Sequence, residues 1–103
     1  MYDKIRIVKC PARGPAVISF IDNTLEAMQK EVGGYIETVS YGHFVVVCNE
    51  EGVLKGLPVN SSMPQFVGDI FITRADGENF TDLSVTDADI IRRLCSFHVE
   101  TEE

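Results

Sequence analysis

Apolar and charged residues alternate through the first ten positions, where "KIRIVKC" sets Ile5 and Ile7 on one face and Lys4, Arg6 and Val8 on the other. That period of two predicts a strand with one wet face. The turn signal "PARGP" separates it from "AVISFID", whose β-branched and aromatic residues predict a second strand and a hairpin. The period then lengthens. In "DNTLEAMQKEVGG" Leu25, Met28 and Val32 share a stripe with Ala27 beside it, which predicts a helix of about three turns. Asp22 or Asn23 is expected to cap it, with Glu26 three residues after Asn23 as in a capping box. Lys30 suits the negative end of the helix, and a glycine beyond it can take the left-handed backbone that closes a helix.

"YIETVSY" predicts a third strand, and "GHFVVVCNEEGVLKGL" two more around a tight turn at Asn49–Gly52. "FVVVC" is apolar on both faces, as expected of a central strand with a helix over one side. "PVNSSMPQ" is an irregular loop whose polar residues could line a site. "FVGDIFITR" is a strand and "ADGENF" a turn. The last segment, "LSVTDADIIRRLCSFHVETEE", predicts a helix with Thr86 as N-cap, Asp87 and Asp89 in its first turn, and Ile90, Ile91, Leu94 and Phe97 along one face. An acidic tail is expected over 99–103. The whole chain, 1–103, therefore reads as a single α+β domain of order β-β-α-β-β-β-β-α with a mostly antiparallel sheet, its first five elements in β-grasp order.

Composition narrows the function classes. The chain is 45% hydrophobic and 24% charged, and its longest unbroken apolar stretch, Phe44–Cys48, is far below the roughly 20 residues of a membrane span. No basic segment precedes an apolar block at the N-terminus, so a cytoplasmic location and no membrane partner are expected. Three dispersed cysteines, Cys10, Cys48 and Cys95, argue for buried thiols over a disulfide framework. The net charge is −7, and residues 65–103 hold nine acids against three bases. Asp76, Glu78, Asp82, Asp87 and Asp89 lie in a stretch without a base, a pattern that repels nucleic-acid phosphates and suits either solubility or a basic protein surface.

No catalytic constellation can be assembled, because the only histidines, His43 and His98, have no paired nucleophile and orienting acid. Cys95 and His98 are three apart on a helix but form only half of a zinc site, so neither metal nor cofactor is expected. Glu37 shares a strand face with Tyr35 and Val39, either on the wet side of the sheet or in a pocket beside an aromatic. Tyr35, Glu37, Asn60, Ser61 and Ser62 are the candidate lining of a small-molecule pocket. Gly33–Gly34 follows a helix, whereas phosphate-cradling glycines usually precede one, so a helix cap is expected there.

Several short motifs recur together. Gly33, Gly34, Tyr35, Ile36 and Glu37 match GGYIE; Asn49, Glu50, Glu51 and Gly52 match NEEG; and Leu57, Pro58 and Asn60 match LP-x-N. With "VGDIFIT" and "LSVTDADI", over about Asn23 to Ile90, the chain resembles the family of uncharacterised small proteins known as DUF3846. Ser61 stands where many similar sequences carry an arginine. The resemblance implies a habitat in phages, plasmids and other mobile elements of bacteria, and it transfers no catalytic residue. The expected function is a non-enzymatic binding protein, most specifically a counter-defence or host-modulating factor whose acidic residues engage a basic site on a host protein. The alternatives are a protein that sequesters a nucleotide-like signal and an accessory protein with a housekeeping role.

Overall fold

The computed structural model describes residues 3–100, with side chains described through Cys95. Two hairpins and the strand between them build one sheet. β1 (Lys4–Cys10) pairs with β2 (Val17–Asp22), and β3 (Ile36–Tyr41) pairs with β4 (Phe44–Asn49). β5 (Ile70–Asp76) lies between the hairpins, so that Ile72 faces Val8 of β1 on one side and Val46 of β4 on the other. The strand order is β2-β1-β5-β4-β3, and β6 (Asn79–Thr81) folds back on β5. Helix α1 (Leu25–Val32) follows β2, and α2 (Val85–Glu100) ends the described chain.

The α+β order is the expected one, and every strand pair is antiparallel. The β-grasp likeness is confined to element order, because the central pair β1–β5 is antiparallel where a β-grasp has a parallel pair. Two assignments exchange places. Val53–Leu57, expected as the second strand around the Asn49–Gly52 turn, is no strand, and consecutive turns run through 53–56, whereas the end of the expected "ADGENF" turn becomes β6. β5, and not β4, takes the centre of the sheet.

Alternation in the strands splits the core into two layers. Ile5, Ile7, Val45, Val47 and Phe71 face α1, where Met28 and Val32 close over them. Val8, Cys10, Val46 and Ile72 face the other way, under Ala88, Ile91 and Cys95 of α2. Adjacent valines of β4 thus serve opposite layers, and this is why "FVVVC" shows no wet face.

The helix ends differ from expectation for a physical reason. Thr24, not Asp22 or Asn23, caps α1, its hydroxyl accepting from the Ala27 N–H at 3.1 Å. Asp22 is engaged by Lys4 at 2.8 Å, and the Asn23 amide donates to the Phe80 carbonyl at 3.1 Å. Ser84, not Thr86, caps α2 by accepting from the Asp87 N–H at 3.0 Å. The apolar stripes are also narrower than they read: Leu25 is exposed on α1, and Ile90 and Leu94 are exposed on α2. Phe97 lies beyond the described side chains. The helix reaches Glu100, so the tail expected from 99 begins inside it, and 101–103 lie outside the described residues.

Candidate functional site

The segment between β4 and β5, 50–69, contains no strand longer than the single bridge Val59–Val67. A connection of this length in a compact domain is usually functional. Two asparagine side chains fix it. Asn49, buried at the end of β4, donates through Nδ2 to the Val32 carbonyl at the end of α1 (3.1 Å) and accepts the Glu51 N–H on Oδ1 (2.8 Å). Its own carbonyl accepts the Gly52 N–H at 3.2 Å, which starts a turn closed by Lys55 N–H to Glu51 O (2.9 Å) and Leu57 N–H to Gly52 O (3.0 Å). The tip of this anchored turn carries Val53 and Leu54, 81% and 88% exposed. Both belonged to the expected strand, so the sequence reading missed them as surface features. Gly52 and Gly56 on either side were the available signal.

The glycine pair sits beneath the same turn. Gly33 has φ 80° and closes α1, its N–H donating to Gln29 O at 2.8 Å, so the cap expectation holds. Gly34 serves another purpose: a Cβ there would stand 2.9 Å from Asn49 Nδ2 and 3.1 Å from Lys55 Nζ. Beside it the Tyr35 carbonyl accepts the Glu50 N–H at 2.8 Å, which carries Tyr35, 65% exposed, next to the turn.

Asn60 is fully buried and spends its hydrogen-bonding capacity on the backbone. Nδ2 donates to Cys10 O (2.9 Å) and Gly68 O (2.8 Å), and Oδ1 accepts from the N–H groups of Ser62 and Met63 (both 3.0 Å). It is a staple, not a ligand contact. The five residues expected to line one pocket are therefore not brought together. Glu37 lines a cleft of about 230 Å³ with Cys48, Glu50, Val53 and Phe66. Ser62 borders a different cleft of about 320 Å³ beside Met63 and α2. The Ser61 and Ser62 hydroxyls are buried and find no partner among the described residues.

The Glu37 cleft is acidic and amphipathic. Glu37 and Glu50 supply two carboxylates, while Val39, Val53, Phe66 and Val67 supply apolar wall. The Cys48 thiol donates to the Glu37 carbonyl oxygen at 3.5 Å, and burial, then the charge of Glu37, pushes its pKa above the usual thiol value. On the α1 side of the sheet, a third cleft of about 400 Å³ lies between the end of α1 and the 55–58 segment, with Lys30 and Lys55 at its walls. Three of the charges there are engaged: Lys55 pairs with Glu51 at 3.7 Å, Glu31 pairs with Lys9 at 3.1 Å, and Asp69 accepts the Ala12 N–H at 2.8 Å.

The five candidate partner-binding acids are also dispersed. Asp76 and Glu78 flank the turn between β5 and β6, and Asp87 lies in the first turn of α2. Asp82 is structural, accepting the Arg6 N–H at 2.6 Å. Asp89 is held between Arg92 (2.8 Å) and Arg93 (3.0 Å), and the hydrogen bond from Arg92 keeps its carboxyl below the usual range. All three cysteines are free, buried thiols. No group of three metal-ligating residues occurs among the described residues, and the His98 side chain of the half-site considered with Cys95 lies outside them. Among the described residues no helix is long and apolar enough to cross a membrane.

The family model described as a domain of unknown function, DUF3846, matches residues 5–96. Neither a curated protein nor a solved structure matches the chain.

Proposed function

The chain belongs to the DUF3846 family, and from that premise we propose that it is a non-enzymatic binding protein that engages a basic, partly apolar segment of another protein through the 50–56 turn and the Glu37 cleft. One observation carries the reading: among the described residues Val53 and Leu54 are the two most exposed large apolar side chains, yet they stand on a turn anchored by the hydrogen bonds of the buried Asn49. Apolar side chains held rigidly in water mark interaction surfaces, since they lose little further conformational entropy on docking. Glu37 and Glu50 supply the carboxylates of the adjoining cleft, while Glu51 pairs with Lys55 on the turn itself, so the charge complement is a lysine- or arginine-bearing segment. Tyr35 extends the apolar area beside them.

A finer reading takes the partner to be a protein of a bacterial host and this protein to be a counter-defence or host-modulating factor in its cytoplasm. It is supported by the mobile-element habitat implied by the resemblance and by the negative charge of the chain. The test places a photo-crosslinking residue at position 54 in the cells that express the protein. We expect one discrete adduct, lost with Glu37→Lys/Glu50→Lys and weakened by salt. An adduct indifferent to both changes would refute the acidic-cleft reading. The small-molecule alternative retains one favourable observation, the 400 Å³ cleft with its two lysines. A nucleotide released at stoichiometric level from heat-denatured protein would select it.

A further inference from the structure

We infer that Cys10 and Cys95 form a redox-active dithiol that closes to an internal disulfide joining β1 to α2. Their sulfurs lie 3.9 Å apart although 84 residues separate them in the chain. The two thiols differ in access. Cys10 is fully buried, whereas Cys95 borders the open cleft of about 320 Å³ formed with Met63, Pro64 and Leu94, so a small oxidant reaches Cys95 first. They also differ in acidity. The hydrogen bond that Cys10 donates to Cys95, reinforced by burial, holds Cys10 protonated, and the same hydrogen bond lowers the Cys95 thiol. Cys48 takes no part, because its thiol donates to the Glu37 carbonyl on the β3–β4 hairpin.

The chemistry balances with a low-molecular-weight disulfide as oxidant. The Cys95 thiolate attacks one sulfur of that disulfide and expels a thiolate, which takes up the proton that Cys95 lost. Cys10 then attacks the Cys95 sulfur of the mixed disulfide. It expels the second small thiolate, which receives the Cys10 proton. Two protein thiols are oxidised to one disulfide, and one small disulfide is reduced to two thiols. Closing from 3.9 Å to the roughly 2.05 Å of an S–S bond requires a shift of about 2 Å. The turn of α2 that carries Cys95 can supply this, since among the described residues the helix packs on the sheet through Ala88, Ile91 and Cys95 while Ile90 and Leu94 are exposed.

The test exposes the reduced, folded protein to oxidised glutathione, quenches with acid, alkylates free thiols after denaturation and measures intact and peptide masses. We expect a species lighter by two hydrogens, with Cys10 and Cys95 peptides linked and Cys48 alkylated. Its melting temperature should rise in a way that dithiothreitol reverses. Cys10→Ala should trap glutathione on Cys95, and Cys95→Ala should leave Cys10 unmodified while the fold persists. Absence of the internal disulfide in wild-type protein that stays folded, or equal modification of Cys48, overturns the proposal. The wild-type measurement decides it even where a variant fails to fold.

Discussion

Gly33 and Gly34 stand side by side for different reasons, and substitution separates them. Alanine at Gly33 meets no atom within 4 Å and suffers only the left-handed backbone, a cost of about 1–2 kcal/mol. Alanine at Gly34 enters the space of Asn49 Nδ2 at 2.9 Å and must loosen its bond to Val32 O, adding about 1–3 kcal/mol of overpacking. Denaturant melts of Gly34→Ala in wild-type and Asn49→Ala backgrounds should show strong coupling; additive losses would remove Asn49 from the account. Asn60→Ala strands four backbone groups and should cost about 2–4 kcal/mol, against less than about 0.5 kcal/mol for Glu50→Ala. Cys48 titrates higher in the fold than in the unfolded chain, so its contribution is intact below the ordinary thiol pKa and is lost as pH rises above it. A stability profile between pH 7 and 10 should be shallower in Cys48→Ala, and the slope that remains belongs to Cys10, which the fold also holds protonated. The Gly33 cap and the burial of Cys48 were legible in the sequence, whereas the roles of Asn49 and Asn60 were not, because they read as turn and pocket residues until their long-range partners, Val32 and Cys10, are known.

At the scale of elements, periodicity read well where a segment had a partner and poorly where it had none. β4 is buried on both faces as its unbroken apolar run predicts, whereas the face of β1 that reads as wet carries Val8 and Cys10, which α2 buries. "VLKGL" was expected to pair back on β4, but β4 is paired on both edges, by β3 and β5, and Asn49 ties the start of the segment to the end of α1, so it turns; strand preference is a statement about neighbours. β6 was illegible because three residues carry too little pattern. α2 shows the same limit. Its expected stripe was Ile90, Ile91, Leu94 and Phe97; Ile91 does pack inward, but Ile90 and Leu94 are exposed and Ala88 and Cys95 complete the buried line, since a small residue lets the helix approach β1 closely. Two substitutions measure this. Leu94→Glu should change stability by less than about 0.5 kcal/mol, while Ala88→Leu should cost about 1–3 kcal/mol by overpacking. The reverse ranking in thermal melts would place the helix on its other face. Ser84→Ala should remove about 1 kcal/mol through loss of the cap.

Over the whole molecule, the described acids Asp76, Glu78, Asp82, Asp87 and Asp89 are spread over several elements and put to different uses. Asp82 and Asp89 are consumed internally, and Asp76 and Glu78 stand at a hairpin tip away from the Val53–Leu54 turn. Charge counts along a chain cannot show this, because they omit which acids the fold employs. Reversing Asp76 and Glu78 to lysine should therefore leave melting within about 0.5 kcal/mol of wild type and leave the position-54 adduct in place. Asp82→Ala should lower stability by about 1–2 kcal/mol through the stranded Arg6 N–H. The position of β5 has a consequence of another kind. The hairpins β1–β2 and β3–β4 are each local and can form as soon as their own turns close, but in the sheet order they meet only through β5. A ribosome that has released residues 1–67 has made two ribbons with no sheet contact between them, and the search for the native register begins when the next few residues emerge. Folding speed should hence follow the entropy of closing the 50–69 connection: inserting a flexible segment there should slow refolding, and a circular permutant opened in that connection should redistribute the delay.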